Sequence, residues 1–139
     1  TYRPFRSPIE SPAGIQGKAT QFVMILDALQ LRLLEKIRSD LAGYSVVRST
    51  SPLDNRAIWL EIFADGIHKG NSCQTLLKKL NINCKEVAGL GNDYNDIDFL
   101  DICAEAYLVA NAPVNLQRHY KLVKSDKEEG FTEFISKVL

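Results

Sequence analysis

The sequence predicts an α/β protein, with a Rossmann-like parallel sheet over residues 64–139 and a small α+β unit over 20–63 before it. Two observations carry this. Between residues 20 and 63, strand-like and helix-like patterns run in the order β-α-β-β. From residue 69 onward, short apolar runs alternate with helical periodicities, which is the grammar of a parallel sheet with crossover helices. Residues 1–19 hold Pro4, Pro8, Pro12, Gly14 and Gly17, the composition of an irregular segment or linker.

The elements follow in order. Gln21–Leu26 is a continuous apolar strand, and Asp27 can cap a helix that carries Leu29, Leu33 and Ile37 on one face, with Gly43 placed to stop it. Tyr44–Arg48 and Ala57–Phe63 are two further strands around the turn residues Ser51-Pro52-Leu53-Asp54-Asn55. A helix from Gly70 to Leu80 sets Cys73, Leu76, Leu77 and Leu80 on one side. Glu86–Leu90 is a strand, and Ile97, Leu100 and Ala104 space out the next helix. Ala106–Ala110 is another buried strand, and Pro113 opens a short helix. Tyr120–Lys124 reads as an edge strand, and Phe131–Leu139 closes the chain as a helix with Phe131, Phe134, Ile135 and Val138 inward.

Composition narrows the function classes. Seventeen basic residues balance seventeen acidic ones over 139 residues, which disfavours general nucleic-acid binding. No apolar run reaches the roughly 20 residues that span a bilayer, so no membrane association is expected. Cys73, Cys84 and Cys103 show no C-x-x-C spacing, and read as small buried hydrophobes in a reducing, cytoplasmic setting.

The chemistry concentrates in Gly91-Asn92-Asp93-Tyr94-Asn95-Asp96, a loop between a strand and a helix. Asn92 and Asp96 offer oxygen ligands for a hard cation such as Mg²⁺, Asp93 is a third donor, and Asn95 can brace a ligand or a phosphate. A capped turn accounts for the same residue types, with Asn92 or Asp93 as the N-cap. Lys69, at a helix start beside Gly70, can neutralise a phosphoryl oxygen and a nearby carboxylate together. His68, His119 and the charge run Lys124–Glu129 read as solvated groups.

Lys69-Gly70 followed by Gly91-Asn92-x-x-Asn95-Asp96 resembles the C-terminal half of a haloacid-dehalogenase (HAD) superfamily phosphatase of the Cof-type branch. The likeness covers residues 57–139 and, more loosely, 20–62, which resemble the end of the family's inserted cap. It implies a Mg²⁺-dependent hydrolysis of a phosphate monoester of a small metabolite, such as a sugar phosphate, through an aspartyl-phosphate. Lys69 would be the catalytic lysine that contacts phosphate, Asn95 would support the phosphate, and Asn92 and Asp96, with Asp93, would hold the metal. Asn92 stands where the family more commonly has aspartate, so whether Asn92 or Asp93 faces the metal is left open. The family's nucleophile motif, D-x-D-G-[T/S], does not occur before residue 64. The chain therefore reads as the C-terminal portion of a longer phosphatase, inactive alone, with an unpaired sheet edge that favours self-association. A stand-alone module that binds phosphate, metal or a partner protein without hydrolysis is the alternative.

Overall fold

A computed structural model describes residues 11, 13, 17–51 and 57–139. Most of the proline-rich opening segment and the expected turn residues Pro52–Asn55 lie outside the described residues. Two three-stranded sheets organise the rest. The first is antiparallel in the order β1-β3-β2, from β1 (Phe22–Asp27), β2 (Tyr44–Thr50) and β3 (Ala57–Ala64). The β-α-β-β order is as expected. Its helix, however, is shorter: a 3-10 turn at Ala28–Gln30 precedes α1 (Leu33–Asp40). The Asp27 side chain accepts from the Leu29 N–H, so it caps this tight turn rather than a long helix. The later start rotates the apolar face. Leu34 and Ile37 pack on Leu26, Ile58 and Leu60, whereas Leu29 is 91% exposed and Leu33 also faces solvent.

The second sheet is parallel in the order β4-β5-β6, from β4 (Ala88–Gly91), β5 (Glu105–Val109) and β6 (Lys121–Val123). Its core is Leu100, Tyr107, Leu108, Val109, Ala112, Leu116, Val123 and Phe134. β6 is an edge strand, as its polar flanks imply. Around the sheet stand α2 (Lys69–Leu80), α3 (Ile97–Leu100), α4 (Val114–Gln117) and α5 (Gly130–Val138).

Four details differ from the periodicity argument. β4 begins at Ala88 because Asn83 and Glu86 close a capping box over a 3-10 turn that uses up Cys84–Glu86. α3 ends at Leu100, and Ala104 instead donates its N–H to the Val87 carbonyl, leading the chain into β5. On α2, Cys73 and Leu77 are partly buried, but Leu76 and Leu80 are more than half exposed, because α3 covers only one side of that helix. On α5, Phe134 is buried against Tyr107 while Phe131 remains 65% exposed. All three cysteines are free thiols, and Cys84 is exposed rather than buried. None of the described helices is long and apolar enough to cross a membrane.

Candidate functional site

The two sheets meet at the loop that leaves β4. Gly91 ends the strand, and a Cβ there would lie 2.8 Å from the Asp96 Cβ and 2.9 Å from the Leu100 side chain. Only glycine therefore lets the loop fold back across the strand end. Asp96 then turns its carboxylate inward, where Oδ2 accepts the backbone N–H groups of Asn92 (2.8 Å) and Asp93 (3.2 Å). Asp93 caps the following 3-10 turn by accepting the Tyr94 N–H, so residues 93 and 96 form a reciprocal capping box. The capped-turn reading of this loop is thus real, and it leaves the metal reading standing beside it, since capping engages only some of the oxygen lone pairs.

Lys69 reaches the same carboxylate. It is the first residue of α2, and its Nζ donates to Asp96 Oδ1 at 2.5 Å. Gly70 makes that reach possible. A Cβ on it would stand 2.5 Å from the Asp98 carbonyl oxygen, so the first turn of α2 can lie against α3 only with glycine there. The Asp96 side chain is 7% exposed and that of Lys69 is 51% exposed. A carboxylate this deep is costly unless matched, and one ammonium with two N–H donors supplies the match. The lysine keeps further N–H donors on its open side.

The other expected residues have distinct surroundings. The Asn92 side chain is exposed and makes no hydrogen bond among the described residues. Asn95 Oδ1 is buried without a partner among them and lines the same hollow as Lys69. Asp93 is turned toward the antiparallel sheet. Its Oδ2 accepts the Thr50 N–H (2.5 Å) and its Oδ1 the Thr50 hydroxyl (2.8 Å). His68 precedes α2, with Nδ1 3.2 Å from Asp98 Oδ2 but without hydrogen-bond alignment. His119 is exposed.

Thr50 and Arg48 were not singled out by sequence reasoning. They sit two apart near the end of β2, on one face of the strand, and the Arg48 guanidinium lies 3.6 Å from the centre of the Tyr94 ring. Tyr94 in turn donates its hydroxyl to Asn115 Oδ1. The only signal in the sequence is the polar run Arg48-Ser49-Thr50 at the end of the strand, and it names no partner. Near the base of β4, burial beside Cys73 and Cys84 pushes the Cys103 thiol up to about 11, so it stays protonated and outside this chemistry.

The donor set fits a hard cation in part. Asn92 and Asp96 offer oxygen, and the orphaned Asn95 oxygen awaits a donor or a cation. No group of three or more His, Cys, Asp or Glu is poised for a metal among the described residues, so these oxygens make up only a fraction of an octahedral shell.

Comparison with known proteins gives the family and the fold of this chain. A curated phosphatase name belongs to a Streptococcus pyogenes serotype M6 protein that is 27% identical over 95 residues, covering 68% of this chain and 33% of that protein. A solved Streptococcus mutans protein superposes with a TM-score of 0.75 at 23% identity, covering 93% of this chain and 48% of its own. A structure described as the HAD subclass IIB sugar phosphatase BT4131 matches with a TM-score of 0.68 at 14% identity, covering 84% of this chain and 42% of its own. At these identities the two structures show a shared fold. This chain spans about half the length of the solved structures and a third of the curated protein. The model of the haloacid dehalogenase-like hydrolases matches residues 6–135, nearly the whole sequence, and the chain belongs to that family.

Proposed function

We propose that this chain forms the cation- and phosphate-holding part of a phosphate monoesterase acting on a small metabolite. Residues 64–139 are its share of the catalytic core and residues 20–63 the end of a cap. The single observation that carries this reading is the contact of Lys69 Nζ with Asp96 Oδ1 at 2.5 Å, which ties the start of α2 to the loop after β4. One cationic head is thereby joined to a bent loop of oxygen donors.

Each residue has a role in this reading. Lys69 orients Asp96 with one N–H and offers the others to a phosphoryl oxygen. Asn92 and Asp96 would hold Mg²⁺, with Asn95 bracing the phosphate or the cation from beside Lys69. Asp93 is committed to Thr50 and the Tyr94 N–H, which favours Asn92 over Asp93 as the ligand. The bound Mg²⁺ would offset negative charge on the phosphoryl group. The attacking aspartate is supplied by chain outside this sequence. Its carboxylate oxygen bonds to phosphorus as the ester P–O bond breaks, the leaving oxygen takes a proton, and water then hydrolyses the aspartyl-phosphate.

The test compares this chain with a form extended upstream, on p-nitrophenyl phosphate with Mg²⁺. Turnover is expected only in the extended form, and Asp96→Asn is expected to lower it by about 100-fold or more. Mn²⁺ is expected to broaden the amide resonances of residues 92–96 in the chain alone. Comparable turnover by both forms, or an absence of broadening, would overturn the proposal, and the second result would favour a non-catalytic module.

A further inference from the structure

Between the end of β2 and the loops that follow β4, β5 and β6 lies a polar cleft of about 990 Å³. Arg48, Thr50, Asn92, Tyr94, Asn111 and Lys127 are among its lining residues. It opens beside Asn92, on the outer side of the loop whose inner side meets Lys69. We propose that this cleft receives the leaving group of the substrate, and that Arg48 selects phosphate monoesters whose leaving group carries a carboxylate. The inference rests on the function proposed above and adds the substrate class.

The state of the charges in the cleft carries the argument. Among the described residues, four charged groups line it: Arg48, Lys127, Asp93 and Asp126. Both carboxylates already accept hydrogen bonds. Asp93 is held by Thr50 and the Tyr94 N–H, and Asp126 accepts from the Asn111 side chain at 2.7 Å. Among the described residues, neither cation pairs with a carboxylate. Among the described lining residues, both carboxylates are engaged and neither cation is paired with one.

Arg48 is the more informative of the two cations. Its Nε is buried and has no hydrogen-bond partner among the described residues, while its guanidinium lies over the Tyr94 ring. A buried donor without an acceptor is destabilising, and a structure that holds one is primed for a ligand that supplies the acceptor. Stacking fixes the plane of the guanidinium, and an acceptor reaches the buried Nε–H as the side chains over it give way. In any guanidinium, Nε–H and one Nη–H point the same way, and that fork matches the two oxygens of a planar carboxylate. Tyr94 belongs to the same loop as Asn92 and Asp96, so an anion on Arg48 and a phosphate held at Lys69 would be gripped from the two sides of one loop.

A matched pair of probes tests this: 3-phosphoglycerate carries the carboxylate, and glycerol 3-phosphate has a neutral leaving group of similar size. Each is titrated into the chain with Mg²⁺ present, and Kd is read from the amide shifts of residues 48–50 and 92–94. The expected result is a Kd about tenfold lower for 3-phosphoglycerate, equivalent to ~1.4 kcal/mol for one added charge-assisted contact. Arg48→Met keeps the apolar stem and is expected to remove the preference. Arg48→Lys is expected to keep part of it as a point charge, which guards against a variant that loses its fold. Equal Kd values for the two probes, a preference that survives Arg48→Met, or no shifts with either probe would overturn the proposal. Mn²⁺ broadening at residues 92–96 separates the two readings. If broadening persists while the preference is absent, the carboxylate subsite falls and the cation loop stands. If the preference is present without broadening, the reverse holds.

Discussion

Gly70 shows how a single residue sets the site. The Asp98 carbonyl would stand 2.5 Å from any Cβ at this position, and backbone cannot yield as a side-chain tip can. Gly70→Ala must therefore push the first turn of α2 away from α3, carrying Lys69 with it. The expected cost is about 1–3 kcal/mol, the usual range for overpacking, read as a lower midpoint in urea unfolding. A second readout is the lysine itself, whose Nζ resonance is expected to lose its coupling to Asp96 in a spectrum of the folded variant. Unchanged stability together with an unchanged Lys69 environment would show that α2 does not need the close approach. At this scale much was legible in the sequence. A lysine before a glycine at a helix start and acids three apart in a loop announce themselves by type and spacing. What spacing could not show was the direction of each carboxylate. Asp93 and Asp96 are both buried acids in one turn, yet one faces Thr50 and the other Lys69.

Between elements, the contact that matters joins β2 to the loop after β4. Thr50 gives Asp93 two hydrogen bonds, one from the backbone and one from the hydroxyl, while Arg48 covers Tyr94 in the same loop. Thr50 and Asp93 lie 43 positions apart, so the contact closes a long loop of chain and belongs to tertiary structure. No local pattern could have announced it. The same reasoning explains the misplaced helix faces. Leu29, Leu76 and Phe131 have helical spacing, but spacing says only that residues share a face, and the neighbours decide whether that face is covered. Thr50→Val removes the hydroxyl and keeps the β-branched shape, leaving the Asp93 carboxylate with one donor fewer. The expected loss is about 1–2 kcal/mol, since the acceptor is charged and the site is partly buried. Thr50→Ser is expected to restore most of it. Residual dipolar couplings give a sharper reading: the two sheets are expected to share one alignment tensor in the parent chain and to tumble more independently in Thr50→Val. A single shared tensor in both would mean that the hydroxyl does not hold the sheets together.

On the scale of the whole molecule, the two sheets differ in how they end. Among the described strands, β4 pairs with β5 alone and β1 with β3 alone. β1 is the more exposed edge: Phe22, Val23, Met24 and Ile25 are each between 39% and 60% exposed, on both faces of the strand. An edge with unpaired N–H and carbonyl groups and apolar side chains is a template for another strand, and no lysine or proline within β1 blunts it. The chain spans about half the length of the solved structures it resembles, so its edges bear on how it behaves when it is prepared by itself. We propose that it self-associates through β1, at concentrations on the order of micromolar to millimolar where unpaired edges commonly do so. Sedimentation velocity over a concentration series is expected to show a sedimentation coefficient that rises with concentration. Ile25→Lys places a charge in the middle of the edge, at a residue already 60% exposed, so it is expected to leave the fold intact and return the chain to monomer. A monomer across the whole series would sink the idea. Association that Ile25→Lys leaves untouched would move it from β1 to another surface, with the free edge of β4 the next to test.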